Sequence, residues 1–319
     1  MVEQTRPRLS VVIPTRDCLA YLPDAIASIR AQEDGTDIRP GEIEIVVVDD
    51  GSTDGTGPWL AAQAARDPRL TALVHQPTGV AAARNAGIAA ATADIIAFLD
   101  ADDQYLPGAL AERLALMEDD PAISLTFADV MSVDPDGRLV GYQFDYWPLF
   151  RAFIGGRSGL LPLGPNAFAM LLAEMVCGTS SVITRRRALE AVGGFNEELR
   201  ISEDWDLWLK LAEVGSVWCS TRRSTRYLVR PGSTSRNMEV LVDTVERVFR
   251  ARVPDPSAVP QPWRGVALAR LLDARAERAR SRGAWLKALC AHLAALAKAP
   301  SWRLGREAAY DTARLLRLK

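Results

Sequence analysis

The sequence predicts an α/β fold, a mostly parallel sheet flanked by helices, with a C-terminal helical extension. Three observations carry that expectation. Short apolar runs alternate with helix-period segments through the first hundred residues, as β-α-β units do. Two of the runs end abruptly in acids, Asp49-Asp50 and Asp100-Ala101-Asp102-Asp103. A proline-rich stretch at 253–263 then separates the bulk of the chain from alanine-, leucine- and arginine-rich segments.

Taken in order, 9–14 (LSVVIP) reads as a buried strand ended by proline, and 19–32 as a helix with Leu19, Leu22, Ile26 and Ile29 on one side. Strands follow at 43–48, 70–75 and 95–99, with helices at 56–66 and 79–91 between them. Right-handed crossovers place the loops after these strands at one sheet edge, where open α/β sheets bind ligands. Asp50 and the Asp100–Asp103 cluster therefore share that edge. Asp50 suits a nucleobase or ribose, and the later cluster suits Mn²⁺ or Mg²⁺ carrying a phosphate, because hard cations prefer oxygen donors. The plainer readings are an ordinary turn at 49–55 and an acidic helix start near Asp103. No P-loop, dinucleotide fingerprint or G-x-S-x-G elbow occurs.

Beyond the cluster, 107–117 reads as a helix with proline in its first turn, 123–130 as a strand, and 134–137 as a hairpin turn. Residues 144–165 show no clear period. Trp147, Phe150 and Phe153 there either anchor the loop or line an acceptor pocket. A short strand is expected at 178–184, then a helix from Arg185 to the Gly193-Gly194 pair. In 196–211 (NEELRISEDWDLWLKL), Ser202 reads as an N-cap, with Leu207, Trp208 and Leu211 facing inward. Glu203, Asp204 and Asp206 fall in the first turn. They favour the helix dipole or supply a general base. The polar loop 227–237 carries Arg230 and Arg236, which either face solvent or close over a diphosphate.

Composition bounds the rest. A net charge of −2 gives no reason to expect nucleic acid as a partner. Residues 264–319 hold 13 basic against 4 acidic residues, so this segment is +9 and the remainder −11. That asymmetry suggests a basic tail with its own partner, and its tryptophans allow peripheral membrane contact; a bundle with a solvated basic face is the commoner arrangement. Four scattered cysteines fit reduced thiols, and no signal peptide is visible, so a location in the cytoplasm or at the inner face of the membrane is expected. With two histidines in 319 residues, a histidine triad or zinc site is not expected, and both read as structural or surface residues.

The segments LSVVIPTRD, VVVDDGSTDGT, GVAAARNAGIAAA, FLDADD, and GGFNEEL followed by EDWDLWLKL occur in this order between residues 9 and 211. Together they resemble the family-2 inverting glycosyltransferases of GT-A fold, over about residues 9–235. The resemblance implies transfer of a sugar from a nucleotide-sugar, a UDP-sugar favoured, to a hydroxyl of a glycan or lipid-linked acceptor in bacterial surface polysaccharide synthesis. It implies that Pro14, Thr15 and Arg16 line the base pocket, that Asp50 contacts the base, and that Arg84 approaches the nucleotide. Asp102 and Asp103 would hold ribose and metal, supported by Asp100. Asp204 would be the catalytic base beside Glu203. Arg230 stands near a histidine of many relatives and cannot ligate a metal, which implies either weaker metal binding or a direct contact of Arg230 with the diphosphate. On this reading residues 1–252 form the transferase domain, with a nucleotide-binding half at 9–103 and an acceptor half at 104–235. A linker at 253–263 and the basic extension 264–319 complete it. A sugar nucleotidyltransferase and a catalytically silent nucleotide-sugar scaffold are the alternatives.

Overall fold

The computed structural model describes residues 6–230 and 238–316, in two compact units. The first comprises residues up to 167, 176–198 and 203–231; the second comprises 168–175, 199–202 and 232–319.

The first unit is built on one sheet. Strands β1 (Leu9–Thr15), β2 (Ile43–Asp49), β3 (Leu70–Val74) and β4 (Ile95–Phe98) pair in parallel in the order β3-β2-β1-β4. Every residue of β1 and β4 is buried. This is what continuous Val/Ile runs covered on both faces require. Helices α1 (Leu22–Arg30), α2 (Thr56–Ala64) and α3 (Val80–Ala90) make the crossovers. Helix α3 lies close on the sheet because Gly87 has no side chain. A Cβ there would collide with Val12 of β1 and stand 3.3 Å from Val48 of β2.

Beyond β4 the sheet is mixed. A two-residue strand β5 (Gln104–Tyr105) precedes helix α4 (Ala111–Asp119). Strand β6 (Ile123–Val133) forms the expected hairpin with β7 (Leu139–Tyr142). Helix α4 begins four residues later than Pro107 suggested, since 107–110 form turns. The aperiodic stretch after β7 is not a plain loop. It folds as helices α5 (Gln143–Tyr146) and α6 (Pro148–Ile154) and strand β8 (Leu160–Pro162). Phe144 and Phe150 are buried, 4.8 Å apart between centroids and 5.7–5.8 Å from Phe127 of β6, which is the anchoring role. Helix α7 (Ala167–Ala173) lies almost wholly in the second unit.

Residues 178–182 are not strand. They make a 3₁₀ turn (Thr179–Ser181), because the Ser181 amide and hydroxyl both bond back to the Gly178 carbonyl. Strand β9 (Ile183–Arg185) follows and runs antiparallel between β4 and β6. Helices α8 (Arg186–Ala191) and α9 (Glu203–Val214) come next, then β10 (Ser216–Leu228), parallel to β6. Leu207, Trp208 and Leu211 of α9 are fully buried, as their spacing predicted. Ser202 precedes α9 in a left-handed conformation, φ 58°, rather than the extended geometry of an ordinary N-cap.

The second unit is helical: α10 (Met238–Arg252), α11 (Trp263–Ser281), α12 (Trp285–Lys298) and α13 (Trp302–Leu315) pack each against the next. Ala269, Ala295 and Leu304 form its apolar centre. Helix α10 belongs here, whereas the sequence placed it with the sheet. The helix buries Val242, Val245, Val248 and Phe249, and Arg275 and Arg278 of α11, with Arg282 just beyond that helix, pair with Glu246, Asp243 and Glu239 of α10. The basic excess of 264–319 thus finds counter-charge just upstream in the same chain. No helix among the described residues is long and apolar enough to cross a membrane.

Candidate active site

Parallel register sets Thr15 beside Asp49 and Val12 beside Phe98, so the ends of β1, β2 and β4 open on one edge. Asp50 is buried there and already well bonded. Its carboxylate accepts from the amides of Thr78 (2.8 Å) and Gly79 (3.0 Å), with the Arg16 guanidinium 3.8 Å away. Asp49, the last residue of β2, holds the turn that follows, accepting from the Ser52 amide at 2.9 Å. Gly51 turns this loop at φ 78°, and a Cβ there would meet Pro77 at 2.6 Å. Pro14 and Thr15 are buried at the same edge; Arg16 is exposed. The Thr15 hydroxyl has no hydrogen-bond partner among the described residues. Asp17, an unassigned position in the sequence reading, accepts from Thr53 at 2.7 Å, and its own amide donates to Ser52.

The three acids after β4 part company. Asp100 and Asp102 are partly exposed, whereas Asp103 is buried with both oxygens engaged. The Ser180 hydroxyl donates to it at 2.6 Å and the Leu228 amide at 3.1 Å. Ser180 also accepts from the Asp100 amide at 3.0 Å, so one hydroxyl clamps both ends of the cluster. Burial, then repulsion from Asp100 and Asp102, pushes Asp103 well above the usual carboxylate range. Burial and Asp100 also push Asp102 up, against the pull of Arg230. Crowded hard oxygen donors of this kind fit a divalent cation, and Asp100 and Asp102 are the accessible ones. Asp103 instead ties β10 to the cluster.

Arg84 is buried and bridges two acids. One terminal nitrogen donates to Asp100 at 2.8 Å and the other to Glu203 at 2.6 Å. Burial opposes its charge, yet Asp100 and Glu203 outweigh that and push its pKa up. Both terminal nitrogens therefore face carboxylates. Glu203 is pushed up by burial and by Asp204 beside it, with Arg84 opposing. Asp204 is half-buried at the start of α9. Its oxygens accept from the Thr179 hydroxyl (2.9 Å) and the Trp205 amide (2.7 Å).

Arg230, at the end of the described part of its loop, donates to Asp102 at 2.7 Å and lies over the Tyr21 ring. Residues 231–237 of that loop, Arg236 included, lie outside the described residues. The cluster is therefore flanked by two guanidiniums, Arg84 on Asp100 and Arg230 on Asp102. Thr179 and Ser180 carried no role in the sequence reading. The run of small hydroxyl residues GTSS was their signal, but it names no partner.

This arrangement is an α/β fold with an acidic, arginine-flanked sheet edge, and solved structures share the fold. The fold matches Staphylococcus aureus TarS residues 1–349 at a TM-score of 0.58 and 19% identity, covering 92% of this chain and 81% of that one. A TarS structure in complex with UDP-GlcNAc matches at 0.59 and 18%, covering 97% and 92%. Residues 10–189 match glycosyl transferase family 2, and the chain belongs to that family. Its members generally use a divalent metal. Chondroitin synthase of Escherichia coli is 26% identical over 209 residues, and hyaluronan synthase of Pasteurella multocida 28%. Each match covers 66% of this chain but only 27% and 19% of the respective relative.

Proposed function

We propose that this chain transfers a sugar from a nucleoside diphosphate sugar, a UDP-sugar in the first instance, to an acceptor hydroxyl with inversion. Arg84 carries the reading. One buried side chain joins Asp100 of the acidic edge to Glu203, the immediate neighbour of Asp204. Asp50 and the 14–16 segment are read as the base pocket, within a nucleotide-binding half at 9–103 and an acceptor half at 104–235. Of Asp102 and Asp103, expected to hold Mn²⁺ or Mg²⁺, Asp102 is the accessible one, and Asp100 would join it because Asp103 is buried and bonded; the ion would neutralise charge on the departing diphosphate. Arg230 is placed to meet the same phosphates with its guanidinium fork.

Asp204 takes the acceptor proton. The hydroxyl oxygen then bonds to the anomeric carbon as the bond from that carbon to the phosphate oxygen breaks. One displacement inverts the centre and needs no protein nucleophile. Thr179 and the Trp205 amide hold the Asp204 carboxylate in place. We read the acceptor as a growing glycan or lipid-linked sugar, worked on from the cytoplasmic side. Exposed Leu286, Leu293 and Trp302 on α12 and α13 support contact with a membrane surface. Liposome flotation with and without residues 264–319 tests that contact; equal flotation rejects it.

The deciding experiment for the reaction is thermal stabilisation by UDP, GDP, TDP and CMP, each with and without Mn²⁺. Stabilisation by one diphosphate, strengthened by metal, is expected. No stabilisation by any of them refutes the reading.

A further inference from the structure

The four carboxylates of the basic segment 264–319 are Asp273, Glu277, Glu307 and Asp311, and its sole histidine is His292. The fold gathers all five. His292 on α12 is fully buried, and its Nδ1 lies 2.6 Å from the buried carboxylate of Asp311 on α13. Its Nε2 points the other way, 3.4 Å from Asp273 Oδ1 and 3.9 Å from Glu277 Oε1, both on α11. Neither Nε2 nor that Asp273 oxygen has a hydrogen-bond partner among the described residues.

We propose that Asp273, Glu277 and His292 form a site for a divalent transition-metal ion of the zinc class, oriented by Asp311. The inference is independent of the transferase reading. A hydrogen bond between Nε2 and Oδ1 would bring them to roughly 2.7–3.2 Å. Two donors on one tetrahedral ion, each about 2.1 Å from it, stand about 3.4 Å apart, which is the spacing seen. The Asp311 contact is the usual outer partner of a metal-binding histidine: Nδ1–H donates to the carboxylate, which fixes the tautomer and leaves the Nε2 lone pair for the ion. Imidazole with carboxylates favours Zn²⁺ and its neighbours over Mg²⁺ or Ca²⁺. Arginines hold the donors from outside. Arg303 donates to Asp273 Oδ2 at 2.6 Å, on the oxygen away from the gap. Arg280 is the exception: it donates to Glu307 and Asp311 at 2.9 Å, and to Glu277 at 3.0 Å on the same Oε1 that faces His292, so the ion would share that oxygen with the guanidinium. The spacing of Asp273 and Glu277, four residues apart on one helix, is otherwise an unremarkable pair, and the histidine comes from the next helix.

The competing arrangement is a proton on Nε2, making His292 an imidazolium among acids. Metal and proton need the same lone pair, so they exclude each other, and metal affinity falls as pH falls. The test uses the full chain, stripped with chelator and carrying Asp102→Asn to weaken the acidic edge of the sheet unit. Titration with Zn²⁺ or Co²⁺ should show one equivalent bound without nucleotide. Asp311→Asn should weaken it ~10–100-fold, and Asp273→Asn should abolish it. The chain has two histidines, so imidazole nitrogen NMR separates them. On adding Zn²⁺ the His292 Nε2 resonance should move to the metal-bound range while His75 stays unchanged. That readout needs no further variant and survives any folding defect in the substituted chains. No bound equivalent, undiminished binding after Asp273→Asn, or a His292 that keeps its Nε2 proton throughout the titration would each overturn the proposal.

Discussion

Asp100, Asp102 and Asp103 lie within four residues of one loop, whereas Asp273, Glu277, His292 and Asp311 come from three helices. Both clusters crowd carboxylates, and both are hemmed by arginines. They differ in where the open oxygen points. At the sheet edge the accessible acids sit on a loop, where a ligand can arrive and leave. In the helical unit the unpartnered atoms are enclosed, where an ion would hold helices together. Like composition thus supports exchange in one place and fixture in the other, and the backbone beneath decides which.

The largest expected effect falls on the sheet-edge side of that contrast. Asp204→Asn should lower the transfer rate by ~10²–10⁴-fold and leave nucleotide-induced stabilisation intact; full activity would reject the base. Next comes Arg84→Gln, which leaves Glu203 buried without its cation. Chemical denaturation should show a loss of about 3 kcal/mol, at the low end for a broken buried pair because Asp100 is partly solvated. An unchanged midpoint would mean the bridge adds nothing. A smaller change is expected for Arg230→Ala. Freed of its guanidinium, Asp102 should bind Mn²⁺ a few-fold more tightly, about 0.5–1 kcal/mol for a part-exposed pair. Activity titrated against Mn²⁺ reads this out, and weaker metal response would place Arg230 on the metal's side.

The smallest effect concerns pH. Asp103 holds its proton to higher pH when folded than when unfolded, where a carboxyl sits near about 3.9. Its contribution to stability is therefore complete below that unfolded value and lost as pH rises through the folded one. Melting temperatures of the parent and Asp103→Asn, compared from neutral pH downward, should diverge in the parent's favour with acid. A constant difference would show that burial leaves this carboxyl unperturbed.

Legibility in the sequence followed the same division. Strands β1, β2 and β4 could be read because each is a largely apolar run, broken only by Ser10 in β1 and Glu44 in β2, and two of them stop at acids. Asp50 and Asp100 to Asp103 were placed at one edge by chain order alone. The sequence did not reveal that Asp103 faces inward, because that depends on Ser180 and the Leu228 amide, far along the chain. The 3₁₀ turn at Thr179–Ser181 was taken for strand because hydroxyl residues next to Val182 and Ile183 fit either form. Side-chain bonds to Gly178 decided it. The helical cluster was missed entirely, since a lone histidine names no partner until helices pack. Helix α10 lies before the proline-rich stretch yet groups with the helices after it, because a linker composition says nothing of contacts made across it.

Arg84 makes the acidic edge and the start of α9 share a single positive charge. A cation or ligand that draws Asp100 away leaves more of that charge to Glu203, and the reverse holds equally. On the proposed reading, occupancy at one end would be felt at the other through this side chain. By linkage, whatever favour a bound donor lends to acceptor binding, the acceptor must return to the donor in equal measure.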